Sequence, residues 1–164
     1  MNPASSSTLR DQYLASPDAE IMSQIKWDFH KGGGNGGQKV NKTSSSVRLY
    51  HVPTEITVIC RESRSQTRNR QIALSKLRKR IALEIRCPAK TITIPPQIPS
   101  LQGSGYPLFL AQVLDSVYET GKVEGMTRSA LERFLRRDEE VWRYLSERRT
   151  TDYAQYFNAV RNQN

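Results

Sequence analysis

A run of glycines interrupts the first half of the chain, where five of the six residues from 32 to 37 are glycine. Such a run leaves no side chains to pack and permits backbone conformations that other residues avoid. In front of it, apolar and polar side chains alternate over about residues 24–30, and that alternation predicts a β-strand. The glycine run therefore predicts an exposed loop at the end of a strand.

Two more strands and a helix are predicted after the glycines. Residues 46–52 and 55–60 are rich in β-forming side chains and are separated by a Pro-Thr pair, which predicts a hairpin. Ser65 can cap a helix over about residues 66–85. The buried stripe predicted for this helix is Ala73, Leu77 and Ile81. Residues 20–87 are thus expected to form one α+β domain, a small, mostly antiparallel sheet covered by a helix.

The composition changes on both sides of this predicted domain. Residues 1–19 are rich in Ser, Asn, Asp and Pro and are expected to form a flexible N-terminus. The Pro and Gly residues between 88 and 107 predict a linker. Residues 108–164 are expected to form an α-helical appendage, with one helix that ends at Gly121 and another over about residues 128–147.

The second of these C-terminal helices has two candidate caps and two interpretations. Thr127 can cap it, as can Ser129, which has Glu132 three residues later as its partner in a capping box. Two short helices joined by a turn are typical of helical hairpins and also of DNA-binding helix-turn-helix motifs. The connection is long for a helix-turn-helix, so a hairpin is favoured.

Positive charge is concentrated in residues 31–90. The chain has a formal net charge of +9, and this segment holds fourteen Lys and Arg against three Asp and Glu. Residues 91–164 hold nine of each sign. A basic block predicts a surface that binds a polyanion, since each cation that meets a phosphate releases condensed counterions. The alternatives are a merely solvated face and a membrane surface, and the latter lacks a basic helix with opposing Trp or Phe.

Composition also argues against several functional classes. No apolar run approaches the roughly 20 residues that a membrane span needs, and the first twenty residues lack the apolar core of a signal peptide. The two cysteines form no CxxC pair, so neither a disulfide framework nor a thiol metal site is expected. A cytoplasmic location without membrane association is the expectation.

The glycines formally fit two phosphate-binding patterns, but their context disfavours both. Gly32, Gly34 and Gly37 have the spacing of a dinucleotide fingerprint, yet the chain predicts a strand next, where that site needs a helix. Gly32 and Gly37 also have the spacing of a P-loop, yet Gln38 stands where that motif requires Lys.

Two ordered motifs account for the glycine run better. The first consists of residues 36–38, Gly-Gly-Gln, followed by Val-Asn at 40–41. The second is Arg-Ser-Gln at 64–66 with Asn-Arg at 69–70, at the start of the basic helix. In this order and spacing they resemble the catalytic domain of class I peptide chain release factors and of the related codon-independent, ribosome-rescue peptidyl-tRNA hydrolases. The resemblance covers about residues 20–86.

The resemblance implies hydrolysis of the ester that joins a nascent peptide to tRNA, in the peptidyl transferase centre of the large ribosomal subunit. The backbone N–H of Gln38 would stabilise the oxyanion, and its side-chain amide would orient water. That amide is too weak a base to take a proton at neutral pH. Gly36 and Gly37 would let the backbone approach tRNA and ribosomal RNA closely. The active centre would be largely RNA, with no cofactor and no metal.

The resemblance and the basic block together nominate a set of RNA contacts. The side chains expected to contact RNA are those of Lys31, Lys39, Asn41, Lys42, Arg61, Arg64, Gln66, Arg68, Asn69, Arg70, Lys76, Lys79 and Arg80. Two members stay open, because the amides of Gln66 and Asn69 can equally cap the fold or brace the loop. Lys39 stands where the family usually has His or Asn.

The predicted function is therefore codon-independent peptide release by a monomer. A chain of 164 residues has no room for codon-reading domains, so recognition of stop codons is not expected. The Lys/Arg-rich tail of the small rescue hydrolases is not evident either, because residues 91–164 are neutral overall. The alternative is a noncatalytic ribosome- or RNA-binding module with the same scaffold.

Overall fold

The computed structural model describes residues 3–30 and 45–147. Its helices are α1 (Pro3–Ala15), α2 (Asp18–Ser23), α3 (Gln66–Glu84), α4 (Tyr106–Thr120), α5 (Arg128–Arg136) and α6 (Glu139–Glu147). Its strands are β1 (Ile25–His30), β2 (Ser46–His51) and β3 (Ile56–Cys60). The described residues divide into two compact units: those within 12–81 form the sheet unit, and the others form the helical unit.

The three strands form an antiparallel sheet in the order β1-β2-β3. Trp27 on β1 lies opposite Leu49 on β2, which in turn lies opposite Val58 on β3. Leu49 and Val58 are buried, Trp27 is half-buried, and the residues next to each along its strand are more exposed. The alternation read from the sequence thus gives this sheet one core face. The predicted α+β fold with a small antiparallel sheet is confirmed.

Helix α3 supplies the other half of the sheet unit's core. It begins where expected, because the Arg68 backbone N–H donates to the hydroxyl of Ser65 at 3.3 Å. Ala73, Leu77 and Ile81 are fully buried, as the spacing of the stripe predicts. The helix ends at Glu84, within a residue of its predicted end.

The start of the chain differs from its expected flexible state, because helices α1 and α2 occupy most of residues 1–19. Leu14 and Ile21 are each only 1% exposed. The guanidinium of Arg78 also binds main-chain carbonyls at the end of α1. A few buried apolar positions and one distant arginine thus order a segment whose average composition is polar.

His51 is fully buried in the sheet unit and is satisfied by its neighbours. Its Nε2 lies 3.2 Å from the Gln24 side-chain oxygen, and its Nδ1 lies 2.7 Å from the Thr54 hydroxyl. These partners suit a neutral imidazole that donates to the amide and accepts from the hydroxyl. Burial also lowers the pKa of His51, because it removes water from around the charged form of the ring. His51 is therefore a packed, hydrogen-bonded side chain of the sheet unit.

In the helical unit, α4 is the most apolar helix and ends at Gly121, whose φ of 77° suits glycine. Its one buried acid, Asp115, forms a 2.6 Å ion pair with the buried Arg10. None of the helices in the part of the chain that the structure describes is long and apolar enough to cross a membrane.

The single helix predicted over 128–147 is wrong, because the helix breaks after Arg136 and restarts as α6. Asp138 causes the restart, since its carboxylate accepts from the Glu140 and Val141 backbone N–H groups at 3.2 and 3.4 Å. This N-cap competes with continuation of the helix. Of the two candidate caps for α5, Thr127 is the one used. Residues 121–127 separate α4 from α5, longer than the three or four residues of a helix-turn-helix turn.

Candidate nucleic-acid interface

The first predicted motif lies outside the described residues. The sequence-predicted site residues in this position are Lys31, Gly36, Gly37, Gln38, Lys39, Asn41 and Lys42. The structure does describe the two strands between which they lie in sequence. His30, the last residue of β1, pairs directly with Ser46, the first residue of β2. The chain therefore leaves and re-enters the sheet at neighbouring positions.

Asn69 is the most highly connected residue of the second motif, and it is fully buried. Its Nδ2 donates to the carbonyls of Ser45 and Ser63, both at 2.7 Å. Its Oδ1 accepts from the Ser63 backbone N–H at 2.8 Å and from the Cys60 thiol at 3.5 Å. A primary amide has two donors and two acceptor sites, so this one is fully used. The Asn69 amide therefore braces the main chain at Ser45 and Ser63, and its predicted contact with RNA stays a prediction.

Arg70 was also expected to contact RNA, and the structure gives its guanidinium a protein partner. The guanidinium carbon lies 4.4 Å from the ring centre of Phe29 and 5.7 Å from that of Trp27. The two rings are stacked in parallel with centres 6.4 Å apart on β1. A planar cation over aromatic faces is held by cation–π attraction and by stacking. The Nε of Arg70 is buried, so this side chain is part of the packing.

Three arginines near the start of α3 remain exposed: Arg61, Arg64 and Arg68. Arg61 donates from Nε to the hydroxyl of Ser46 at 3.2 Å, which places it beside the first residue of β2. Exposed guanidiniums in a short stretch of surface suit bidentate contacts with phosphate. Gln66, the first residue of α3, lies between Arg64 and Arg68 in sequence and is half-buried.

The other predicted RNA contacts lie further along α3 and have intramolecular partners. Lys76 forms an ion pair with Glu62, and Arg80 donates to the carbonyl of Thr57 at 3.0 Å. Lys79 is half-buried. Arg68 and Arg80 are separated by about 18 Å along the helix axis, at 1.5 Å per residue. The start of α3 therefore lies near β2, whereas Lys76, Lys79 and Arg80 lie further along the helix.

Sequence reasoning missed Arg78 and the Ser45 carbonyl. Arg78 belongs to the same basic helix but is buried, and its charge alone does not predict that it is buried. Ser45 contributes through its main chain, which has no sequence signature. No group of three or more His, Cys, Asp or Glu that could hold a metal occurs within residues 3–30 and 45–147.

Comparison with known proteins finds similarity in the segment that contains the sheet and α3. Residues 18–93 match the family model described as the RF-1 domain. The match takes in the whole of β1, β2, β3 and α3, together with both sequence motifs. The resemblance to release factors that the motifs predict is confirmed over this segment.

Individual relatives agree with the family match. The chain is 50% identical over 66 residues to Peptide chain release factor 1 of Symbiobacterium thermophilum, covering 40% of this chain and 18% of that protein. It is 46% identical over 67 residues to Peptide chain release factor 2 of Chloroflexus aggregans, with the same coverage of 40% and 18%. Peptide chain release factor 2 of Treponema pallidum is 49% identical over 65 residues, 39% of this chain and 18% of that protein. The alignments thus span less than a fifth of these relatives.

Proposed function

We propose that this protein releases peptides on the ribosome by hydrolysing the ester bond of peptidyl-tRNA, and that it does so without reading a codon. The observation that carries the proposal is the RF-1 domain match over residues 18–93, which includes the Gly-Gly-Gln motif at 36–38. The aligned relatives bear the names Peptide chain release factor 1 and 2. The proposed partners are the large ribosomal subunit and peptidyl-tRNA, and the proposed form is a cytoplasmic monomer.

The proposed chemistry assigns one step to the motif. Water adds to the ester carbonyl, negative charge develops on the carbonyl oxygen, and the bond to the tRNA ribose oxygen breaks to give a free peptide acid and tRNA. A preorganised N–H aimed at that oxygen contributes several kcal/mol of transition-state stabilisation, and the backbone N–H of Gln38 is the proposed donor. The Gln38 side chain orients the water and excludes larger nucleophiles.

The exposed arginines support the placement on RNA. Arg61, Arg64 and Arg68 lie around the start of α3, and Asn69 and Arg61 tie that region to the start of β2. Guanidiniums held there would meet ribosomal RNA phosphates when the adjoining motif enters the peptidyl transferase centre. Their contribution to binding would weaken as the salt concentration rises.

The proposal of codon independence concerns how the protein selects its ribosome. The alignments with the named relatives cover 65 to 67 residues, less than a fifth of each relative. In this chain the described residues beyond 93 form helices α4, α5 and α6, which we propose as the element that selects the ribosome.

The test is single-turnover release of labelled peptide from ribosomes that carry peptidyl-tRNA, with and without mRNA in the A site. We expect wild-type release in both conditions, loss of release in Gln38→Ala, and full release in Gln71→Ala, an exposed glutamine of α3. Equal release by Gln38→Ala refutes the proposed chemistry. Absence of wild-type release together with pelleting on ribosomes supports a noncatalytic binding module instead.

A further inference from the structure

Two adjacent side chains of α3 hold the two strands from which the motif segment extends. Asn69 bonds to the carbonyl of Ser45, the residue directly before β2. Arg70 lies over Phe29, one residue before the end of β1. The motif residue Gln38 lies between these two attachment points in sequence, nine residues after Phe29 and seven before Ser45.

The Asn69 contact fixes main chain, and it does so from a rigid base. The same amide bonds to both the N–H and the carbonyl of Ser63, and to the thiol of Cys60 at the end of β3. These bonds leave the side chain no freedom to follow a displaced Ser45. Because the amide is fully buried, each of its bonds is costly to break without a replacement.

The Arg70 contact fixes the other strand through its rings. Phe29 and Trp27 lie on β1, an edge strand of the sheet, and both are half-buried. The guanidinium carbon lies 4.4 Å from the centre of the Phe29 ring. Truncation of Arg70 would remove this contact and leave the pairing of β1 with β2 in place.

We propose that Asn69 and Arg70 form a stem clamp, a pair of positioning residues that hold the ends of β1 and β2 at Phe29 and Ser45, on either side of the motif in sequence. This inference rests on the proposed function, because the strand ends that the clamp holds flank the proposed catalytic motif in sequence. The clamp acts through the main chain at Ser45 and the rings at Phe29, and neither residue contacts the reacting atoms. Phosphate binding then falls to the exposed arginines, Arg61, Arg64 and Arg68.

A clamp and a phosphate contact predict different kinetics. Misplacement of a reacting group by about 1 Å can lower the rate about 100-fold, whereas lost phosphate contacts weaken binding and reduce its salt dependence. In Arg70→Ala we expect the single-turnover rate at saturating protein to fall at least about tenfold. The protein concentration that gives half this rate should stay within about twofold of wild type, as should its salt dependence, because no phosphate contact is removed.

Three companion variants complete the test. Arg70→Lys keeps the charge but has no planar group to stack on Phe29, so it should recover the saturating rate only in part. Gln71→Ala, on the exposed side of the same helix, is the matched control and should behave as wild type. Asn69→Asp replaces both donors with acceptors and should lose at least as much rate as Arg70→Ala. Should Asn69→Asp fail to fold by circular dichroism, the Arg70 variants decide the result.

A readout on the free protein separates this inference from the proposed function. The backbone amide resonances of Gly36, Gly37 and Gln38 should shift in Arg70→Ala and stay unchanged in Gln71→Ala. If the wild type releases no peptide, the proposed function fails, and these resonances alone decide the clamp. Unchanged amide resonances in Arg70→Ala overturn the clamp, and so does full recovery of the saturating rate by Arg70→Lys.

Discussion

Arg78 provides the sharpest prediction about stability, because its guanidinium serves the end of α1. Nη1 donates to the carbonyls of Tyr13 and Leu14 at 3.1 and 3.0 Å, and Nη2 donates to the carbonyl of Ser16 at 2.5 Å. Nη2 also pairs with Asp18 at 3.0 Å. The last carbonyls of a helix have no partners within it and carry partial negative charge, so a cation there is doubly favourable. The variant to make is Arg78→Ala.

The expected loss follows from which carbonyls water can reach. The bond to the Leu14 carbonyl is buried, and an unsatisfied buried acceptor costs about 1–3 kcal/mol. The bonds to Tyr13 and Ser16 are only partly buried, so water replaces them at a net loss of roughly 0.5 kcal/mol each. We therefore expect the free energy of unfolding of the sheet unit to fall by about 3 kcal/mol. The partner in the ion pair, Asp18, is 72% exposed, so Asp18→Asn should cost no more than about 0.5 kcal/mol.

The assay is urea unfolding followed by tryptophan fluorescence in a Trp142→Phe background, where Trp27 becomes the reporter of the sheet unit. With an m value of about 1.5 kcal/mol/M, the midpoint of Arg78→Ala should fall by about 2 M. A loss of about 1.5 kcal/mol or less would show that water replaces all three carbonyl bonds. An Asp18→Asn loss equal to that of Arg78→Ala would show that the ion pair, not the carbonyls, provides the stability.

Two titratable groups give further predictions. Burial lowers the pKa of His51, so below its ordinary pKa of about 6.5 the unfolded chain binds a proton that the folded chain does not. As the pH drops below about 6.5, the free energy of unfolding should therefore decrease by at most about 1.4 kcal/mol per pH unit. Urea unfolding at pH 7.5 and 5.5 should show a smaller decrease for His51→Gln than for the wild type. In the helical unit, burial raises the pKa of Asp115 while Arg10 opposes the rise. Asp115→Asn should cost about 3 kcal/mol, because it removes one carboxylate from the buried Arg10 and leaves it with Asp11 and the Ile85 carbonyl. The double variant Arg10→Met with Asp115→Leu should recover most of this loss.

The strands and α3 were predictable because each buries one face of a regular pattern. In a strand the face repeats every two residues, and Trp27, Leu49 and Val58 fall on the same side in the structure as in the sequence pattern. In α3 the repeat of four residues and the Ser65 cap fix the bounds to within a residue. Local rules suffice where burial and periodicity agree.

The remaining features depend on contacts between residues distant in sequence. Helix α1 is ordered in part by Arg78, more than sixty residues away in sequence. The polar composition of residues 1–19 therefore predicted a flexible segment where the structure has a helix. Asn69 and Arg68 are neighbours of similar polarity, yet only the fold shows that one is buried and the other exposed. The break after α5 occurs because the Asp138 carboxylate caps a new helix. The apolar pattern of residues 128–147 fits equally well with one unbroken helix in which Asp138 faces solvent.

Because β1 and β2 pair directly at His30 and Ser46, the chain between them closes a loop, and the entropy cost of closure depends on the length of that loop. Fifteen residues join His30 to Ser46, whereas four join β2 to β3. Closing the longer connection costs only about 1 kcal/mol more in chain entropy, since this cost grows with the logarithm of length. Doubling it would add about 0.6 kcal/mol. On this scaling, insertions and deletions in this connection are expected to change the free energy of unfolding by less than about 1 kcal/mol.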